Sequence, residues 1–122
     1  MKDRILILED DKINQKLIEL YLIDAYDIEI VDSVEEAIDA VSNSTFNLII
    51  SDLNLGDRTK DDGMDFLKYI KSDSKFNLIP IVSYSAYFRQ SMNNEFSFDA
   101  NIPKPVNKVD FLKTIEDILV KN

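Results

Sequence analysis

Short apolar runs alternate along this chain with stretches whose apolar residues recur at helical spacing, and no linker, repeat or low-complexity segment interrupts them. That alternation limits the fold more than any other feature. "RILIL" (Arg4 to Leu8) reads as a fully buried strand. Ile13, Leu17, Leu20 and Tyr21 then fall at i, i+4, i+7 and i+8, which predicts a helix with those residues inward. "YDIEIV" (Tyr26 to Val31) alternates as a strand does. Ser33 followed by Glu36 is a capping-box pattern that opens a second helix, with Val34, Ala37, Ile38 and Val41 facing the core. "FNLIIS" (Phe46 to Ser51) is a third strand, and Gly63, Phe66, Leu67 and Ile70 mark a third helix. "IPIVSY" (Ile79 to Tyr84) predicts a fourth strand. A weaker helical stripe runs through Phe88, Met92 and Phe96 within Ala86 to Phe98. "ANIPKP" gives a short fifth strand and turn, and Phe111, Leu112, Ile115, Ile118 and Leu119 a last helix.

Five strands alternating with five helices predict an α/β fold: a doubly wound, five-stranded parallel sheet covered on both faces. The strand order 2-1-3-4-5 fits the count, and it places a ligand crevice at the carboxyl ends of strands 1 and 3. Pro103 has no N–H to donate, which suits an outermost fifth strand. The length, 122 residues, is that of one ordinary domain, here 1–122.

Composition removes whole classes of chemistry. The chain has no cysteine and no histidine, so thiolate catalysis, disulfides, zinc-thiolate sites, Ser-His-Asp triads and imidazole ligands are excluded. Carboxylates, hydroxyls and lysines must carry any reaction. A net charge of −9 argues against nucleic-acid or anionic-membrane binding, which depends on a basic face. The apolar run in "MKDRILILEDD" is too short for a signal peptide, so a cytoplasmic location is expected.

The topology supplies its own test, because the strand ends should carry the chemistry. Strand 1 ends in Glu9, Asp10 and Asp11, and strand 3 in Asp52, with Asn54 two residues on. Strand 4 ends in Ser85-Ala86 and strand 5 in Lys104-Pro105. Each signal alone has a bland reading, since acids cap helices and aspartate favours turns. Four of them at four strand ends, in topological order, point to one crevice.

The motifs "ILILEDD", "NLIISDLNL", "IPIVSYSA" and "IPKP" resemble those of a response-regulator receiver domain, in the right order and across essentially the whole chain. "EDDKINQK" is similar to receivers attached to hybrid histidine kinases. The resemblance implies a flavodoxin-like (βα)5 fold and a phosphorylation switch of two-component or phosphorelay signalling. It makes Asp52 the phospho-acceptor, and Glu9 and Asp10 the acidic pair that holds Mg²⁺ together with Asp52 and the backbone carbonyl of Asn54. Ser85 becomes the switch hydroxyl, with Ala86 leaving space beside the phosphoryl group. Lys104 is the fixed cation, Pro105 a structural residue at the site, and Asn54 and Tyr87 the residues that tune hydrolysis. The implied phosphoryl source is a histidine kinase or histidine phosphotransfer protein. Output is implied to pass to a downstream protein or onward by relay, with no direct nucleic-acid or membrane contact and no enzymatic turnover beyond slow dephosphorylation.

The chemistry agrees with that set. Phosphoryl transfer to a carboxylate is limited by charge repulsion and alignment, and Mg²⁺ takes oxygen ligands. The pattern also departs from the family at several places: Gly56 stands where proline is common, Asn101 where an aromatic residue usually sits, the loop from Asp52 to Gly63 is longer than usual, and the segment between Ser85 and Lys104 is somewhat short. Two rival readings remain. An aspartyl-nucleophile phosphatase would use a second carboxylate as acid/base where this chain has Asn54. A receiver-like interaction module that is never phosphorylated would have no use for the intact acidic pair, Asp52 and Lys104.

Overall fold

The structure, a computed structural model, describes residues 2–52, 62–85, 97–104 and 107–121. Nine elements follow in chain order: β1 (Arg4–Leu8), α1 (Lys12–Leu22), β2 (Asp27–Val31), α2 (Val34–Asn43), β3 (Leu48–Ser51), α3 (Asp62–Ser72), β4 (Ile81–Ser85), β5 (Ala100–Pro103) and α4 (Lys108–Lys121). The five strands form one sheet in the order β2-β1-β3-β4-β5, and every pairing is parallel. This is the flavodoxin-like arrangement that the alternation predicts. The helical stripe of Phe88, Met92 and Phe96 falls on residues outside the described ones.

The central strands β1 and β3 read as nearly unbroken apolar runs because helices cover both faces of the sheet there. Alternate residues divide the interior into two cores. On one face, Leu6, Leu8, Ile49 and Ile81 meet Ala37 and Val41 of α2 and Phe66, Leu67 and Ile70 of α3. On the other, Ile5, Ile7, Ile50, Val82 and Tyr84 meet Ile18 and Leu22 of α1 and Phe111 and Ile115 of α4. The period-two change of face along each strand is what allows two cores to share one sheet.

Helix α1 corrects the sequence reading. Its buried residues are Ile18 and Leu22, whereas Ile13 and Leu20 are 78% and 57% exposed. Six of its eleven residues are apolar or aromatic, so two overlapping stripes satisfy the helical period. The stripe through Ile18 and Leu22 is the one that meets the sheet, and Tyr21 joins it at its margin. Strand β4 also begins later than the apolar run suggests. Ile79 closes a turn by donating its N–H to Phe76 O (2.9 Å), and pairing starts only at Ile81.

Helix α2 opens as its sequence pattern predicts, with one shift. The N–H of Glu36 donates to Ser33 Oγ (3.1 Å), and the Glu36 carboxylate accepts from the N–H of Asp32 (3.0 Å), one residue before the cap. At the outer edge, Asp99 accepts from both Lys71 Nζ (3.0 Å) and Ile81 N–H (2.8 Å), which ties α3 and β4 to the start of β5. Ser83 Oγ donates across the ladder to Asn101 Oδ1, so the residue standing at the usual aromatic position is held by a polar bond. No described helix is long and apolar enough to cross a membrane.

Truncating the two rival stripes of α1 separates them. Ile18→Ala should lower the unfolding free energy by about 3 kcal/mol, whereas Ile13→Ala should stay within about 0.5 kcal/mol of the parent. Urea unfolding monitored by circular dichroism measures both.

Candidate functional site

The ladder continues one step past the ends of β1 and β3. The N–H of Glu9 donates to Val31 O and the N–H of Asp52 to Leu8 O, both at 2.9 Å. These two rungs fix the backbones from which the acidic side chains project. The three successive acids that follow β1 then separate by role. Asp11 caps α1 by accepting the N–H of Asn14 (3.2 Å), and it leaves Glu9 and Asp10 to the crevice.

Glu9, Asp10 and Asp52 each offer a carboxylate oxygen, and these oxygens lie within 4.8 Å of one another. Glu9 and Asp52 are almost fully buried, at 1% and 4% exposed, and Asp10 is half-buried. Lys104 supplies the compensating charge from the end of β5. Its Nζ donates to Glu9 Oε1 at 2.9 Å and to Asp52 Oδ2 at 3.1 Å. The ammonium also lies 4.9 Å from the centre of the Tyr84 ring.

Glu9 is pinned along its whole length. Its second carboxylate oxygen accepts the N–H of Asp11 (3.1 Å), and its main-chain carbonyl accepts from Gln15 Nε2 (2.6 Å). Burial nevertheless pushes its carboxyl up from 4.5 to about 7. The Lys104 hydrogen bond pulls the other way, and the charge of Asp52 adds to the rise. Asp10 is also raised, first by burial and then by the nearby Asp52 charge. For Lys104, burial disfavours the ammonium, but Glu9 and Asp52 more than reverse this, and it stays raised and charged. An all-oxygen donor set of this kind suits a hard divalent cation such as Mg²⁺. Two of the three donors are already held in place by the lysine and the backbone.

A family model described as the response regulator receiver domain matches residues 5–116. The chain belongs to this family. The receiver is similar to the chemotaxis response regulator CheY4 of Vibrio cholerae, at TM-score 0.85 and 21% identity, covering 97% of this chain and 99% of that one. A sensor protein from Polaromonas sp. superposes at TM-score 0.88 with 25% identity, over 99% and 98% of the two chains. The receiver domain of a sensor histidine kinase from Pseudomonas aeruginosa superposes at 0.83 with 20% identity, over 98% of each, and its structure has magnesium coordinated in the active site cleft. No curated protein sequence matches the receiver significantly. As a receiver of two-component signalling, the chain has the general role of a phospho-acceptor, and receivers take the phosphoryl group from histidine kinases or phosphotransfer proteins.

Of the residues singled out in the sequence, the structure brings together Glu9, Asp10, Asp52 and Lys104. Ser85 closes β4, with its main chain paired to Pro103. Asn54, Ala86, Tyr87 and Pro105 lie outside the described residues. Two residues at the receiver's site escape sequence reasoning. Gln15 bonds back over six positions to a main-chain carbonyl, which no side-chain motif signals. The ring of Tyr84 beside Lys104 becomes visible only once the strand order is known.

The raised Glu9 sets a pH dependence for the receiver without divalent cations. Between about pH 4.5 and 7 the folded state holds a proton that the unfolded chain has released. The stabilisation due to Glu9 is therefore complete below the lower value and lost as pH rises through the upper one. Thermal unfolding in chelator should show falling stability across that window, and Glu9→Gln should flatten the slope.

Proposed function

We propose that this receiver is a phosphorylation switch in which Asp52 accepts the phosphoryl group. The observation that carries the reading is the arrangement of Asp52 itself. Its buried carboxylate bonds to Lys104 and shares a metal-capable cluster with Glu9 and Asp10, at the carboxyl ends of β1 and β3. Glu9, Asp10 and Asp52 are the residues to hold Mg²⁺, with the Asn54 carbonyl as a further donor. When bound, the ion supplies positive charge against the repulsion between carboxylate and phosphoryl donor.

The chain's own residues do the rest. The β3 ladder presents one oxygen of Asp52 for in-line attack, and burial keeps competing water away. Lys104 neutralises charge on the incoming phosphoryl oxygens. Ser85 donates a hydrogen bond to the attached group, Ala86 leaves room beside it, and Pro105 sets the backbone after Lys104. Asn54 and Tyr87 tune hydrolysis, which runs slowly and without turnover of other substrates.

The phosphoryl source is a histidine kinase or a histidine phosphotransfer protein in the cytoplasm. The signal leaves through contact with a downstream protein or by onward relay, not through nucleic acid or membrane. Support comes from family membership, from the net charge of −9 and from the absence of a membrane-crossing helix among the described residues.

Incubation with acetyl phosphate and Mg²⁺, followed by intact mass, tests the reading. The parent should gain one phosphoryl group. Asp52→Asn, or chelation of the metal, should abolish the gain, and Lys104→Ala should slow it on the order of a hundredfold. A gain that survives Asp52→Asn would overturn the assignment, and steady release of phosphate from a simple phosphomonoester would favour the phosphatase instead.

A further inference from the structure

Lys104 acts at a distance from its own strand. It projects from the end of β5, at the edge of the sheet, yet its two carboxylate partners lie beyond β3 and β1. Neighbouring strands are about 4.8 Å apart, so the lysine must cross β4 to reach Asp52, a span of about 10 Å from strand to strand. The side chain that faces it on the intervening strand is Tyr84. Residues 82 and 84 of β4 and 102 of β5 point into the same core, on the α1 and α4 side.

We propose that Tyr84 is a positioning residue of the phosphorylation site: its ring is the platform on which the Lys104 ammonium is held between Glu9 and Asp52. The ammonium lies 4.9 Å from the ring centre, within cation–π range. The ring cannot retreat, because it is 1% exposed and packs against Phe111 with centroids 5.6 Å apart. Phe111 packs in turn against Tyr21 of α1, also at 5.6 Å. A series of three rings thus runs from the lysine to the α1–α4 contact. Burial raises the Tyr84 phenol above its ordinary value, so the ring stays neutral, and the attraction is that of an aromatic face and not of a phenolate.

The platform solves a geometric problem. A lysine side chain has four rotatable bonds and loses substantial entropy when it is fixed. Its two carboxylates constrain the ammonium only at the tip. A flat, immobile apolar surface below limits the remaining freedom, and the ring's negative face favours the charge that it supports. The effect of Tyr84 on phosphorylation is therefore indirect and passes entirely through Lys104.

The inference rests on Asp52 as the acceptor for its rate measurement alone, and a second readout is independent of phosphorylation. In nuclear magnetic resonance spectra of the parent, the Lys104 ε-methylene protons should show a ring-current shift, and its ammonium should exchange slowly enough to give a resolved nitrogen signal. Tyr84→Phe, which keeps the face, should preserve both. Tyr84→Leu should lose both, and Tyr84→Met serves as the non-aromatic variant if the leucine protein does not fold. With acetyl phosphate at saturating Mg²⁺, the non-aromatic variant should react about fivefold more slowly than the parent. Tyr84→Phe should stay within about twofold by the same reasoning. In a Lys104→Ala background the non-aromatic substitution should cost nothing further. Unchanged Lys104 signals in the non-aromatic variant, or an equal rate loss with and without the lysine, would overturn the proposal. A parent protein that takes up no phosphoryl group would refute the role of Asp52 and leave the spectra to decide on Tyr84.

Discussion

One ammonium group shared by two buried carboxylates is the interaction on which this structure turns. Glu9 and Lys104 are 95 positions apart in sequence, and Asp52 and Lys104 are 52 apart, yet both pairs close to about hydrogen-bond distance. Neither acid would tolerate its position alone. A carboxylate removed from water and left unpaired is among the most costly features a fold can carry. The lysine therefore makes it possible to bury the acids, and burial in turn makes the site responsive to charge. The rise of Glu9 to about 7 shows that the compensation is incomplete. Three carboxylates, Glu9, Asp10 and Asp52, nevertheless face a single ammonium, and this excess of acidic groups is the condition for attracting a divalent cation.

The two-core sheet exists to hold that cluster still. Each acid stands one residue past the end of a strand that is apolar on both faces, and a further ladder bond secures its backbone. Groups placed this way inherit the rigidity of the core and not the freedom of the loops. A reaction governed by charge and alignment gains from such fixed positions more than from any reactive group.

How far the sequence disclosed this depends on which kind of information a residue carries. Strands β1 and β3 were legible because they are buried on both sides and so consist of continuous apolar residues ending in acids. The clustering of Glu9, Asp10, Asp52 and Lys104 was legible for a related reason: topology places strand ends together, and only polar residues there stand out. Helix α1 misled because its apolar residues outnumber the positions that one face can bury, and periodicity cannot choose between two adequate stripes. Spacing alone does not tell Asp11 from its acidic neighbours; its place as the cap of α1 comes from the bond it accepts from the N–H of Asn14. Tyr84 is legible in the sequence only as the last residue of the fourth apolar run. Its partnership with Lys104 requires the knowledge that β4 lies between β5 and β3, which is a property of the assembled sheet and not of any short segment.

The open sides of the sheet have a consequence of their own. Its outer strands, β2 and β5, each pair with a single neighbour among the described residues, and an unpaired flank is the feature through which sheets recruit foreign strands and grow into aggregates. Here β5 is four residues long and contains Pro103, while β2 carries Asp27 and Glu29 along its length. A short, proline-bearing border and a charged one make poor templates for lateral growth. Self-association by strand addition is disfavoured at both borders, and the exposed apolar side chains lie away from them, at Ile13 and Leu20 of α1, Val109 of α4 and Leu78 in the turn before β4.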